Sequence, residues 1–197
     1  MNHCSTKGSL RGRHRVLKRP TLPVVLHTAG FTLIELMVTI AIAAVLLTLA
    51  APSFTSMVRN NRLTAQADGL TAALNYARST ALSQAITVEV CPLGTLNTTT
   101  CGAIWANGWI VVRDPTGTPT LLQSHQTVAG GPVLSSPAGS VLFDPRGLSA
   151  TPSNFKICDS RGAAYARSVQ IPFATGLVQE GTTPGQVAYG TTALTCP

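Results

Sequence analysis

The pattern of hydrophobic and polar residues begins with a long apolar run from Phe31 to Ala51, in which Glu35 is the only charged residue. This length matches the roughly 20 helical residues that cross a hydrocarbon core of about 30 Å. An ionised acid inside such a segment costs about 3 kcal/mol on insertion scales, so it needs a partner cation or a proton. The run therefore predicts a membrane-spanning helix in which Glu35 is a candidate functional residue.

The helical pattern resumes beyond this run. Pro52 removes one helical hydrogen bond, and we expect it to kink the helix without ending it. Apolar residues then recur at alternating intervals of four and three, which is typical of one face of an amphipathic helix packed on the protein's own sheet. They are Leu63, Ala67, Leu70, Leu74, Ala77 and Ala81. One helix is thus predicted from about Phe31 to about Gln84.

From Ala85 onward the period changes to two, and clusters of Gly, Pro, Asp and Thr separate short apolar segments. This pattern predicts antiparallel strands joined by turns. The predicted strands cover 86–90, 109–113, 120–123, 140–143, 154–157, 168–171 and 186–189. No long helical pattern interrupts them, so we predict an α+β fold in which the helix packs on two small antiparallel sheets.

The charge distribution changes how the formal net charge of +7 is interpreted. The segment before Gly30 contains several Lys and Arg residues and no acid, whereas the remainder of the chain is nearly neutral. A basic segment before an apolar run resembles a secretory signal and predicts a cytoplasmic N-terminus. A conventional signal is cut after its apolar core, but the sharp boundary here lies before it, at Gly30 and Phe31.

This order of residues resembles the class III signal of type IV prepilins and type II secretion pseudopilins. The resemblance implies that prepilin peptidase cleaves between Gly30 and Phe31 and methylates the new amino terminus at Phe31. It also implies that Glu35 meets the freed α-amino group of a neighbouring subunit. The protein would cross the inner membrane once, with its N-terminus in the cytoplasm and its head in the periplasm.

The same resemblance divides the chain into three segments. Residues 1–30 form a leader that is cleaved, and residues 31–57 form the transmembrane and assembly half of the helix. Residues 58–197 form a periplasmic head, which combines an amphipathic helix at 58–84 with a β domain at 85–197.

Five cysteines are present, and the loss of Cys4 with the leader would leave an even number. In an oxidising compartment they predict two disulfides, for which three connectivities exist. We favour Cys91 with Cys101, which closes a short Thr-rich loop, and Cys158 with Cys196, which attaches the C-terminal tail to a strand. We predict no metal site, since the sequence contains no Cys-x-x-Cys pair and processing would leave one histidine, His125.

Three further motifs resemble the GspH/FimT family of minor pilins and pseudopilins. They are Ala77-Arg78-Ser79, Trp105-x-x-Gly108-Trp109 and Ile157-Cys158-Asp159-x-Arg161-Gly162. The resemblance implies the pilin fold and a minor pilin that primes type IV pilus assembly at or near the tip. It implies as partners other minor pilins or pseudopilins, the major pilin, prepilin peptidase and the inner-membrane assembly platform. A GspH-like pseudopilin of a type II secretion system is the first alternative.

The second alternative is a DNA-binding minor pilin for natural transformation. DNA-binding members of the family carry a Gly-Arg-x-Arg motif, where this chain has Gly176-Leu177-Val178-Gln179. The remaining candidates for phosphate contacts are Lys156, Arg161 and Arg167, and nearby acids dilute their charge. The sequence therefore argues against dedicated nucleic-acid binding.

The sequence also argues against catalysis. His125 has no accompanying nucleophile motif, and the aspartates Asp114, Asp144 and Asp159 stand at apparent turns, where Asp binds local backbone N–H groups. We therefore expect a protein that has no catalytic residues or cofactor and that acts by assembling.

Overall fold

The computed structural model describes residues 30–196, so residues 1–29 of the predicted leader lie outside the described part. The chain divides into two compact units between Val45 and Leu46. One helix, α1, runs from Leu33 to Gln84. The strands that follow are β1 Val88–Pro92, β2 Gly108–Arg113, β3 Thr120–Gln126, β4 Val133–Ser135, β5 Val141–Phe143, β6 Ser153–Cys158, β7 Arg167–Ile171 and β8 Gln179–Glu180.

The predicted apolar stripe of α1 forms one side of the main core. All six predicted residues, from Leu63 to Ala81, are buried, and Ala73 joins them. They pack in one cluster with side chains of both sheets, including Val90, Phe143 and Phe155. The prediction of an amphipathic second half of the helix is confirmed.

The strands form two four-stranded sheets, with the orders β3-β2-β1-β5 and β4-β6-β7-β8. Every strand pair is antiparallel. In the first sheet Val90 lies opposite Val111 on one side and Val141 on the other, and all three are buried. The prediction of an α+β fold with two small antiparallel sheets is thus confirmed.

Three strand assignments differ from the sequence-based prediction. The predicted strand at 186–189 is wrong, because that segment forms only an isolated bridge between Gln186 and Ala193. Strands β4 and β8 were not predicted, since they contain three and two residues, too few for an alternating pattern. Short edge strands form because neighbouring strands offer hydrogen-bond partners, which the local sequence does not reveal.

Two tryptophans connect the elements around the core. The indole Nε1 of Trp105 donates a hydrogen bond of 2.7 Å to the carbonyl of Ala138. Its ring meets Phe155 of β6 edge to face, with 4.9 Å between the ring centroids. The Trp109 ring stacks on the His125 imidazole, with 4.1 Å between their centroids. Both tryptophans are buried, so they act as packing anchors in this head.

Within residues 30–196 the structure contains two disulfides, Cys91–Cys101 and Cys158–Cys196. The second joins the end of β6 to the C-terminal tail. Its attachment is reinforced by Lys156, whose Nζ donates to the Thr195 carbonyl at 3.1 Å and to Thr195 Oγ1 at 3.2 Å. A small core beneath the tail includes Leu194. The tail is therefore held by covalent, polar and apolar contacts together.

Replacing Cys158 and Cys196 together by serine should lower the free energy of unfolding by about 4 kcal/mol, the chain-entropy estimate for a loop of this length. Urea denaturation of the detergent-solubilised chain, followed by tryptophan fluorescence, measures this change. The matched Cys91→Ser/Cys101→Ser variant should lose about 3 kcal/mol, because its loop is shorter. Unchanged stability of the first variant under oxidising conditions would contradict the tail's contribution.

Strand β8 brings Glu180 towards α1. Glu180 lies opposite the buried Val169, so it shares the helix-facing side of the second sheet. Burial raises the pKa of Glu180, and the Asp68 carboxylate of α1 raises it further, while Arg167 and Thr71 act in the opposite direction. The folded chain therefore holds a proton on Glu180 more readily than the unfolded chain does.

This raised pKa makes Glu180 a source of instability at neutral pH. Stability should decrease as pH rises from the unfolded pKa of about 4.3 through the higher folded value. Glu180→Gln should thus raise the melting temperature by about 1–2 °C at pH 7. The increase should vanish near pH 3.5, where the native carboxyl is already protonated. An equal increase at both pH values would point to packing instead of charge.

Candidate assembly site

A threonine cap starts α1. The Leu36 N–H donates to the Thr32 carbonyl at 3.1 Å, and the Glu35 N–H donates to Thr32 Oγ1 at 3.2 Å. Thr32 and Glu35 thus have the spacing of a capping box, in which the N-cap hydroxyl binds the N–H of the third helical residue. The sequence analysis missed this cap, although the Thr-x-x-Glu pattern before an apolar helix signals one.

The cap gives Glu35 a local structural setting. Its carboxylate lies in the first turn of α1, where the positive end of the helix dipole favours a negative charge. Within residues 30–196 this carboxylate has no hydrogen bond or ion pair. Gly30 and Phe31 precede the cap, lie outside the helix and are exposed. The carboxylate is therefore available to a group outside this chain.

The first part of α1 presents apolar side chains on all sides. In the isolated chain they are exposed, and α1 is long and apolar enough to cross a membrane. An apolar surface of this extent requires lipid or another protein to cover it. The exposed large apolar residues of this part of α1 are Leu33, Ile34, Leu36, Met37, Val38, Ile40, Ile42, Val45, Leu46, Leu47, Phe54 and Met57, and the exposed Phe31 precedes them.

Pro52 lies inside α1, and the helix continues through it. Two hydroxyls follow it and bond back to the helix: Thr55 Oγ1 donates to the Pro52 carbonyl at 2.9 Å, and Ser56 Oγ donates to the Ser53 carbonyl at 2.8 Å. Such side chains satisfy their polar groups within the helix, as an apolar environment requires. The kink at Pro52 stays a prediction.

The three bases that were candidates for DNA contacts do not share one surface. Lys156 lies opposite Ser168, whereas Arg167 lies opposite the buried Ile157, so the two bases point to opposite faces of the second sheet. Lys156 is bonded to the tail residue Thr195. The positive charge of Arg167 lowers the pKa of Glu180 on the helix-facing side of the sheet.

Arg161 is engaged within its own turn. Its Nε donates to Asp159 Oδ2 at 2.8 Å, and its N–H donates to Asp159 Oδ1 at 2.9 Å. The guanidinium carbon lies 4.2 Å from the centroid of the Tyr165 ring. Burial raises the pKa of Asp159, but its bonds to Arg161 outweigh this and hold the pKa below its usual value. Arg161 therefore balances a nearly buried carboxylate.

The same turn occurs a second time at Asp144-Pro145-Arg146-Gly147. Asp144 Oδ1 accepts the N–H groups of Leu148 and Arg146 at 2.9 Å, and Arg146 Nε donates to Asp144 Oδ2 at 3.0 Å. The bond from Leu148 is the main cause that lowers the pKa of Asp144. Asp-x-Arg-Gly is thus a repeated turn motif in this head, and its aspartates serve backbone geometry.

The stretch that aligns with the family's Gly-Arg-x-Arg motif packs against this second turn. Gly176 adopts a φ of 63°, and a Cβ atom there would lie only 2.0 Å from the Gly147 carbonyl oxygen. The adjacent Ala174 N–H donates to the Ser149 carbonyl at 3.0 Å. Gly176 therefore has a packing role, independent of any nucleic acid.

Two sequence families match the chain. The prokaryotic N-terminal methylation motif covers residues 26–51, and the family described as type II transport protein GspH covers residues 66–175. A search of curated proteins gave no match.

Solved structures share the fold. Two crystal structures of the type IV minor pilin FimU from Pseudomonas aeruginosa strain PAO1, in space groups P21 and P65, superimpose with TM-scores of 0.51 and 0.50. Their sequences are 24% and 22% identical to this one. The alignments cover 66% and 64% of this chain and 96% and 100% of the FimU chains. Because the GspH match spans more than half of the sequence, the chain belongs to the GspH family of type IV minor pilins and pseudopilins.

Proposed function

We propose that this protein is a minor pilin that primes type IV pilus assembly and is incorporated at or near the pilus tip after prepilin peptidase processing. Its family consists of structural pilins, which are not enzymes and which assemble with other pilins and membrane machinery. The observation that carries the proposal is the start of α1, where an unpaired Glu35 carboxylate follows the cap on a helix with exposed apolar side chains.

The chemistry of this helix start explains how assembly would be driven. Cleavage between Gly30 and Phe31 creates a positive α-amino group, methylated on Phe31, a few residues before Glu35. In the membrane both charges lack water, and pairing them between adjacent subunits removes both penalties at once. The Thr32 hydroxyl already holds the Glu35 N–H, so the carboxylate is left for the neighbouring subunit.

The exposed apolar surface of α1 would be covered in two successive environments. In the inner membrane, lipid chains would cover it, with the head in the periplasm. In the fibre, the helices of the major pilin and of other minor pilins would replace the lipid. Transfer between the two requires the assembly platform but little change in apolar burial, since one apolar environment replaces another.

A GspH-like pseudopilin of a type II secretion system is the second candidate, favoured by the description of the matching family as a type II transport protein. DNA binding has weaker support, because Lys156 and Arg167 face opposite ways and Arg161 is paired with Asp159.

Deletion of the gene distinguishes the first two candidates. A minor pilin should be needed for surface piliation and twitching, while secretion of folded exoproteins continues. Counting surface pili by electron microscopy and assaying secreted enzymes in the same strain measures both. Normal piliation with a secretion defect would instead identify a pseudopilin.

Glu35→Gln should lower incorporation into the fibre about tenfold or more, because breaking a buried ion pair costs about 3–5 kcal/mol. Cleavage after Gly30 should continue. Immunoblots of sheared fibres measure incorporation, and the mass of the membrane-bound chain measures processing. Gly30→Asp serves as the control that should block processing itself.

Thr32→Val is the matched control for the structural role of Glu35. It removes the cap hydroxyl while keeping the charge, whereas Glu35→Gln keeps the bond from the backbone N–H of residue 35 to the Thr32 hydroxyl and loses the charge. If Thr32→Val abolishes incorporation and Glu35→Gln assembles normally, Glu35 serves only the helix start, and the charge-pairing proposal fails.

A further inference from the structure

A cavity of about 610 Å³ opens beside the part of α1 that follows the apolar run. Arg59 and Arg62 line one wall, and Gly130, Gly131 and Asp159 line the rest together with neighbouring residues. The two arginines are three residues apart on α1, so their side chains lie on the same face of the helix. The cavity thus presents two guanidinium groups to whatever enters it.

The positive charge of this cavity is only partly balanced within the described residues. Neither Arg59 nor Arg62 forms a hydrogen bond or a close ion pair in residues 30–196. The acid in the wall, Asp159, is bonded to Arg161 with 2.7 Å between Arg161 Nη2 and Asp159 Oδ2. The charge of Arg59 also helps to lower the pKa of Asp159. Because this one carboxylate faces both Arg161 and Arg59, positive charge remains in excess in the cavity.

A second pocket of about 440 Å³ adjoins the first, and Arg62 lines both. This pocket is bordered by Gln66, whose side chain is only 9% exposed. The Gln66 Nε2 is buried and has no hydrogen-bond partner in the described residues. A buried donor without a partner is costly and is usually satisfied by a ligand, water or ion. The two pockets thus contain hydrogen-bond donors that need acceptor atoms from a bound group.

The position of the arginines along α1 indicates the source of the acceptor. The helix carries no charge from Leu36 to Val58, and Arg59 is the first charged residue after this segment. Counted from Phe31, where the apolar run begins, Arg59 lies about 42 Å along the chain at 1.5 Å per helical residue, close to the thickness of about 40–45 Å of a bilayer with its headgroups. Arg59 and Arg62 therefore follow the core at the level of the lipid headgroups, where arginine side chains extend towards phosphates.

We infer that Arg59 and Arg62 bind the phosphodiester of an anionic phospholipid while the subunit resides in the membrane. Arginine forks bind phosphate oxygens through paired charge-assisted hydrogen bonds, and the pocket at Gln66 accepts a further ester or phosphate oxygen. The lipid would secure the head at the membrane surface before assembly. This inference requires membrane anchoring but not the proposed role in a pilus.

Native mass spectrometry of the full chain in detergent, titrated with dioleoylphosphatidylglycerol, tests the inference. The wild-type chain should retain one lipid. Arg59→Gln/Arg62→Gln should weaken retention about tenfold or more, since the charge-assisted hydrogen bonds from both guanidinium groups to the phosphate are lost. The single variants Arg59→Gln and Arg62→Gln should each weaken retention, whereas the matched control Arg146→Gln, which removes one positive side chain outside the cavity, should retain lipid as the wild type does. Thermal unfolding shows that the variants are folded.

Three competitors give the results that would overturn the inference. Equal retention of dioleoylglycerol, which lacks phosphate, would show that only acyl chains bind. Inorganic phosphate that binds as tightly as the lipid would remove the membrane as the source. A hexaglutamate peptide that binds more tightly than the lipid would identify the cavity as a contact for an acidic protein segment. Undiminished lipid retention by the double arginine variant would also refute it.

Discussion

Burial of the apolar stripe of α1 against two sheets is the interaction on which this head depends. Four of its seven residues are alanines, at positions 67, 73, 77 and 81, and small side chains let the sheets approach the helix closely. The bulk of the core then comes from the sheets, from side chains such as Phe143 and Phe155. The helix contributes mostly small side chains to the core and the strands contribute larger ones, so each layer needs the other to bury its apolar face.

The two sheets are joined by contacts that do not belong to either ladder. Trp105 precedes β2 of the first sheet, and its ring meets Phe155 of the second.

Glu180 and Asp68 bring like charges together where β8 meets α1, a local cost that the surrounding apolar packing outweighs. The head thus tolerates one unfavourable electrostatic contact within a well-packed interior.

Periodic features of the sequence predicted the fold, and pairings made by distant residues account for what was missed. The stripe from Leu63 to Ala81 was predictable because a helix repeats its environment every three or four residues. Strands β4 and β8 are too short to show any period, and the tail at 186–189 has strand-like residues but no neighbouring strand to pair with along its length. The ion pair of Arg161 was also not predictable, because Asp-x-Arg-Gly has the same pattern at position 144, where the arginine side chain is 80% exposed, and at position 159, where it is 13% exposed. The cap at Thr32 was predictable from the Thr-x-x-Glu spacing, but Glu35 was interpreted only as a charge within a membrane segment.

The threonine cap also bears on how a protease would reach this chain. Proteases generally act on extended backbone, and a helix that continued towards the N-terminus would hide its peptide bonds in internal hydrogen bonds. Thr32 starts the helix immediately after Gly30 and Phe31, whose backbone is not helical. The proposed scissile bond consequently lies in non-helical backbone, a form that a peptidase active site can accept. The Thr32 hydroxyl thus fixes the start of the helix two residues after Gly30, so the helix does not extend across the proposed cleavage site.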